Sequence, residues 1–280
     1  MSKPESGLIR IDNANLYYEL AGQGQPLVLI HAGVADSRQW DHEFADFSRD
    51  FRVLRYDLRG YGKSLPVEGE FSHMEDLTAL LDELGINQPL VLIGCSMGGG
   101  MAMDFALAHP SKMKALVMLG SAPSGLALDV PGHPKMEAAE QAYNSGDLDL
   151  LAELETQIWF DGMGRTPQQV NQEMRSLAKE MDRLALAHEA RGLGKRLPDA
   201  HTKAAERLDE LEMPVLLIVG EHDVPYVHAA ADYMVEHVKH VEHVPSARKV
   251  IINDAAHLAN MDQPVQFQSA ARSFLDEISQ

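Results

Sequence analysis

The stretch of this sequence best suited to covalent chemistry is Gly94-Cys95-Ser96-Met97-Gly98, a serine with glycine two positions away on either side. Leu90 to Ile93 before it is apolar enough for a buried strand, and Met97 to Ala108 after it reads as a small, apolar helix. A serine in a tight strand-to-helix turn holds an unfavourable backbone conformation and projects its hydroxyl into the open. Residues two positions away come so close that only very small side chains fit, which Gly94 and Gly98 satisfy. The helix that follows offers its first amides to developing negative charge. The glycine–serine–glycine pattern alone is weak, and its place between a strand and a helix gives it weight.

A serine hydroxyl needs a base, so one of the 13 histidines must serve it. His257 lies in the loop Asn253 to Asn260, just after the last strand expected in the chain. In a parallel sheet that loop falls on the same carboxyl edge as Ser96. An acid must then fix the imidazole tautomer. Gly220-Glu221-His222-Asp223 follows a strand on that edge, with Asp223 the first choice and Glu221 the alternative. His31 also ends a strand there and is assigned to shaping the adjacent loop. With such a set, activity should rise through about pH 6–7 as His257 becomes neutral.

The elements that position these residues alternate between short apolar runs and helical segments, the pattern of a parallel sheet covered on both faces. Strands are expected at Leu27 to His31, Phe51 to Tyr56, Leu90 to Ile93, Ala115 to Leu119, Val215 to Val219 and Lys249 to Ile252. A leading antiparallel hairpin is expected over Leu8 to Leu20. Helices are expected at Met74 to Leu84 with Gly85 as C-cap, at Met97 to Ala108, and from about Val265 to Ile278. The last should pack Val265, Phe267, Ala271, Phe274 and Leu275 on the sheet. From about Ser124 to Leu208 the periodicity is helical without strands. The expected organisation is therefore a core over 1–123 and 209–280, interrupted by a helical cap over 124–208. Trp159, Phe160 and Met163 in the cap either line an acyl pocket or pack the cap onto the core. Met101 and Met103 are read as ordinary helix burial.

Composition narrows the function. The chain has 280 residues and a formal charge of −18, which disfavours nucleic acid and anionic membranes, because both need clustered Lys and Arg. Its single cysteine, Cys95, excludes an internal disulfide and a multi-cysteine metal site, and is read as a buried packing residue. His237, His240 and His243 recur at intervals of three without an accompanying ligand signature and are assigned no metal. No window approaches the roughly 18 apolar residues of a membrane helix. The expectation is a cytoplasmic enzyme without cofactor or metal, either monomeric or a homo-oligomer.

Over nearly its whole length the chain resembles the α/β-hydrolases, and among them the small capped carboxylesterases, cofactor-free haloperoxidases and enol-lactone hydrolases. The matching pieces are Leu29-Ile30-His31-Ala32-Gly33 with Trp40, and Asp57-Leu58-Arg59-Gly60-Tyr61-Gly62-Lys63-Ser64. Gly94 to Gly99, Gly220 to Asp223 and Ala256-His257-Leu258 complete them. The order Ser, Asp, His is that of the family. The resemblance implies a mostly parallel eight-stranded sheet with helices on both faces and an oxyanion hole made by the amides of Gly33 and Met97. It also implies a small-molecule ester or lactone as substrate, with carbon–carbon hydrolysis, perhydrolysis or a non-catalytic receptor as alternatives. The Asp57 to Ser64 turn takes a structural role. Relatives carry Gly where this chain has Ala32, a change that matters only if the backbone there needs a positive φ. Dehalogenases and epoxide hydrolases of this fold place Asp where this chain has Ser96, which favours an acyl-enzyme.

Overall fold

The computed structural model describes residues 4–198, 203–238 and 247–278. The main sheet is built from β1 (Glu5–Ile11), β2 (Ala14–Ala21), β3 (Pro26–Ile30), β4 (Arg52–Tyr56), β6 (Leu90–Cys95), β7 (Met113–Leu119), β9 (Val215–Gly220) and β10 (Arg248–Ile252). Two shorter strands, β5 (Glu70–Phe71) and β8 (Lys195–Arg196), pair with each other in a separate ladder. The eight strands lie in the order β1-β2-β4-β3-β6-β7-β9-β10. Only β2 runs against the others, pairing antiparallel with both β1 and β4. The expected eight-stranded, mostly parallel sheet is therefore observed.

The strand sequences look continuously apolar because both faces are covered, yet their residues still alternate. Val28 and Ile30 of β3, Leu92 of β6 and Leu116 of β7 join one core cluster with α2 (His73–Glu83), α3 (Met97–Ala108) and α7 (Pro225–His237). Leu27, Leu29, Val91, Ile93 and Val117 join the other with α1 (Asp41–Phe47) and α9 (Pro264–Glu277). Ser72 caps α2 by accepting from the Glu75 amide at 3.2 Å, and Gly85 follows at φ 62°.

After β3 the chain crosses to β4 on one side, then returns to place β6 on the other. The two loops leaving the carboxyl ends of β3 and β6 thus part in opposite directions and open a crevice between them. His31 and Ser96 leave from these two strand ends.

Between β7 and β9 the described residues add no strand to the main sheet. They form α4 (Met136–Ser145), α5 (Leu148–Thr156), a π turn over Gln157–Asp161 and α6 (Gln172–Glu189). Some details differ from what the sequence predicts, the short strand β5 among them. The strand β8 lies inside this stretch, where only helical periodicity is expected, because two residues are too few to carry a period. Val265 is exposed rather than packed. It stands in the first turn of α9, off the stripe formed by Phe267, Ala271, Phe274 and Leu275, all of which are buried. The remaining short helix, α8 (Ala259–Asp262), follows the His257 loop.

Candidate active site

Ser96 sits between β6 and α3 with φ 52° and ψ −117°, a conformation costly for any residue with a side chain. The packing around it explains each glycine. A Cβ on Gly94 would lie 2.3 Å from Gly98 O, and one on Gly98 would lie 2.5 Å from both His31 O and Ile30 O. A Cβ on Gly99 would meet Ser121 Oγ at 2.6 Å. The turn is also held by hydrogen bonds: Ser96 N donates to Leu119 O at 2.8 Å, and Ser121 Oγ donates to Ser96 O at 2.7 Å. Met97 is the first residue of α3, where helix geometry leaves its N–H without an intrahelical acceptor.

Asp223 and His257 come together from the ends of β9 and β10. His257 Nδ1 lies 2.9 and 3.0 Å from the two Asp223 carboxylate oxygens, and both residues are buried. The Val224 amide donates to Asp223 Oδ1 at 2.8 Å and orients the carboxylate. With a carboxylate at Nδ1, that nitrogen carries the proton and Nε2 is left with its lone pair. Glu221, the alternative acid, is exposed and accepts instead from the Asp254 amide at 3.0 Å.

Ser96, Met97 and His257 line one cavity of about 410 Å³, together with Met101, Leu126, Trp159 and Tyr226. Trp159 lies against His257 with ring centroids 4.7 Å apart. Of the apolar trio singled out in the sequence, only Trp159 lines this cavity, whereas Phe160 is core and Met163 is half-buried. Met101 both packs and lines, and Met103 is wholly buried.

Gly33 lines a neighbouring cavity rather than that of Ser96, yet a Cβ on it would lie 3.7 Å from Met97 Sδ. Ala32 is absent from the residues with positive φ, so the methyl that replaces the usual glycine costs no backbone strain. The Ala32 amide donates to Gln39 Oε1 at 2.9 Å. His31 accepts the Leu58 amide at Nε2 (3.0 Å), so Nδ1 carries the proton and donates to Ala32 O at 2.8 Å. Burial holds its pKa below the ordinary imidazole value. His31 therefore clips the loop after β3 to the loop after β4, as its sequence position implies. In the latter loop Asp57 accepts from the Ser37 and Lys63 amides at 2.8 and 2.7 Å, and Arg59 pairs with buried Asp76. Cys95 is fully buried, and desolvation pushes its thiol pKa up.

The segment after α5 is fastened to both loops that carry Asp223 and His257. Met163 N donates to His222 O at 2.7 Å, and His222 Nδ1 donates to Met163 O at 3.0 Å. Arg165 donates to Phe160 O and Asp161 O on its own side, and to Asp254 O and Asp262 Oδ2 on the far side. A Cβ on Gly162 (φ 74°) would lie 2.4 Å from both the Ala256 side chain and His222 O. Sequence reasoning misses Arg165, Gln39 and Asn260, because nothing in their local patterns marks partners so distant along the chain. His237 donates through Nδ1 to Tyr233 O at 2.8 Å, and His240 and His243 lie outside the described residues. Among the described residues, no helix is long and apolar enough to cross a membrane.

The comparisons agree with this architecture. The family model for the alpha/beta hydrolase fold matches residues 25–264. A pimeloyl-[acyl-carrier protein] methyl ester esterase of Aeromonas hydrophila is 29% identical over 92% of this chain and 98% of its own. A protein of Bacillus subtilis, provisionally named a 2-succinyl-6-hydroxy-2,4-cyclohexadiene-1-carboxylate synthase, is 26% identical over 93% and 95%. The solved enol-lactonase of Burkholderia xenovorans LB400 superposes with a TM-score of 0.75 at 22% identity, covering 96% of this chain and 100% of that one, a likeness of fold.

Proposed function

The chain belongs to the alpha/beta hydrolase family, and from that premise we propose that it is a serine hydrolase cleaving a carboxylic ester or lactone of a small molecule through an acyl-enzyme on Ser96. The observation that carries this reading is the convergence of Ser96, on its strained turn, with His257, whose Nδ1 is held by Asp223, in one cavity. Residues 124–208 act in this reading as a helical cap that supplies Trp159 to the pocket wall.

The chemistry follows from the arrangement. His257 Nε2 takes the Ser96 proton as Oγ attacks the carbonyl, and Asp223 stabilises the imidazolium. The Met97 and Gly33 amides hold the oxyanion, each contributing about 3–4 kcal/mol in the transition state. The alcohol departs with the proton from His257. Water, activated by the same imidazole, then releases the acid and frees Ser96. The same groups would serve carbon–carbon hydrolysis or perhydrolysis, and the differing reactions of the named relatives do not choose among these bonds.

A fluorescent fluorophosphonate tests the reading. Wild-type protein should label, Ser96→Ala and His257→Ala should not, and a panel of short esters and lactones should be turned over by the wild type alone. Full esterase activity in Ser96→Ala would overturn the scheme.

A further inference from the structure

Beside the Ser96 cavity lies a second one of about 380 Å³, lined by α6, the start of α2, the end of α5 and the loop after β4. We propose that it is a subsite for a protonated primary amine on the substrate, held by Glu155 and Asp182 with His73 as a further acceptor. This deepens the hydrolase reading and rests on it for the position of the scissile bond.

Two buried polar atoms of this cavity have no hydrogen-bond partner: Asp182 Oδ2 and His73 Nδ1. They come from different helices, and both residues are at least 97% buried, His73 at 2% exposure and Asp182 at 3%. Orphaned buried groups of this kind are expensive unless a ligand satisfies them. Glu155 stands beside Asp182, and the exposed rim adds Glu189. Desolvation, followed by the charge of Glu155, pushes Asp182 up to about 9. At neutral pH Asp182 therefore keeps its proton and shares it with Glu155, so the pair carries a single negative charge, and an ammonium group entering the cavity would take the place of that proton.

The cationic side chains around the cavity are engaged, although the charge of Arg196 reaches His73 and Tyr61. Arg59 is committed to Asp76 through two hydrogen bonds at 2.6 and 2.9 Å. Arg196, on exposed β8, has a partner of its own. His188 is spent on Gly60 O at 3.1 Å. Burial lowers the pKa of His73, which leaves its imidazole neutral and able to accept an N–H. Tyr61 and Phe71 add aromatic walls, which favour an ammonium group over a second anion.

The subsite is placed to act on the same substrate as Ser96. Gly33 lines it while its Cβ direction meets Met97, and Tyr61 Oη lies 3.9 Å from Met97 Sδ. Glu155 is one helical turn before Trp159, and both line a further small cavity that shares Val34, Glu155 and Asp182 with this one and Trp159 with that of Ser96.

The test uses p-nitrophenyl esters of ω-amino acids of increasing chain length. Each is compared with the alkyl ester in which methyl replaces ammonium, and with the ω-hydroxy ester. At the chain length that spans the two cavities, wild type should favour the amino ester in kcat/KM by about tenfold or more, mainly through KM. In the double variant Glu155→Gln/Asp182→Asn, which keeps side-chain shape, that ratio should fall to about one. Calorimetry on Ser96→Ala with the matching ω-amino acid reads binding without turnover, and the affinity should fall by a similar factor when the double change is added. The proposal is overturned if no chain length favours the amino ester, if the hydroxy ester is preferred, or if the preference survives in the double variant. Failure of the hydrolase reading looks different: Ser96→Ala would hydrolyse these esters as fast as wild type, while the calorimetry would still report on the amine.

Discussion

Gln39 and Asn260, 221 residues apart in sequence, exchange two hydrogen bonds: Gln39 Nε2 donates to Asn260 Oδ1 at 3.1 Å, and Asn260 Nδ2 donates to Gln39 O at 2.9 Å. Gln39 also accepts the Ala32 amide, one residue before Gly33, and Asn260 lies three residues after His257. One buried amide thus ties the loop proposed to hold the oxyanion to the loop that carries the proposed base.

Gln39→Ala should therefore lower kcat by about ten- to a hundredfold on a simple ester while changing KM little, since a small misplacement of either loop acts on the transition state. Gln39→Glu keeps the acceptor for Ala32 but loses the donor to Asn260, and should fall between. Steady-state kinetics on p-nitrophenyl acetate, with melting curves to verify the fold, decide it. An unchanged kcat in Gln39→Ala would show that the two loops hold their places independently.

The backbone of Ser96 offers a second test. At φ 52° and ψ −117° a glycine relaxes strain that serine and alanine share. Ser96→Gly should be more stable than Ser96→Ala by about 1 kcal/mol in urea denaturation, with both inactive. Equal stability of the two variants would mean that the turn stores no strain.

Much of this site is legible in the amino-acid sequence, for reasons that differ by residue. Gly94, Ser96 and Gly98 can be read because the constraint is local: the spacing itself is what the turn requires. Asp223 and His257 can be read because each follows a strand, and a parallel sheet brings all such loops to one edge. Gln39 with Asn260, and Glu155 with Asp182, depend on how separate elements pack, and no local pattern encodes that. Val265 misleads because its apolar side chain looks like core while its position in the first turn of α9 faces away. The helical periodicity of 124–208 identifies α4 to α6, but it does not say that Trp159 rather than Phe160 reaches the pocket. One position separates them, and rotation within the π turn decides.

Stability should respond to pH through Glu43. This residue is fully buried, and desolvation pushes its pKa up to about 8 despite hydrogen bonds from Asn260 at 3.1 Å and Gln268 at 3.3 Å. The folded state thus binds a proton that the unfolded state has already released above about pH 4.5. Stability from this group is present in full below that pH and is lost as pH rises towards 8. Glu43→Gln should remove the loss, raising stability at pH 8 by on the order of a few kcal/mol, at about 1.4 kcal/mol per pKa unit. It should change little at pH 4.5. Chemical denaturation at both pH values checks the sign, and equal effects at the two would refute the assignment.

The glycines of the site also divide the accessible sequence space around it. At Gly94, Gly98 and Gly220 an added Cβ meets backbone atoms at 2.1–2.5 Å, and backbone cannot repack. At Gly33 the nearest atoms to the same Cβ belong to the Met97 side chain at 3.7–3.8 Å, ordinary contact with a flexible neighbour, and φ there is not positive. The turn holding Ser96 is closed to drift, whereas position 33 accepts a methyl group without a clash. Variation at position 33 is thus a route by which descendants of this sequence could reshape the second cavity while keeping the turn that holds Ser96.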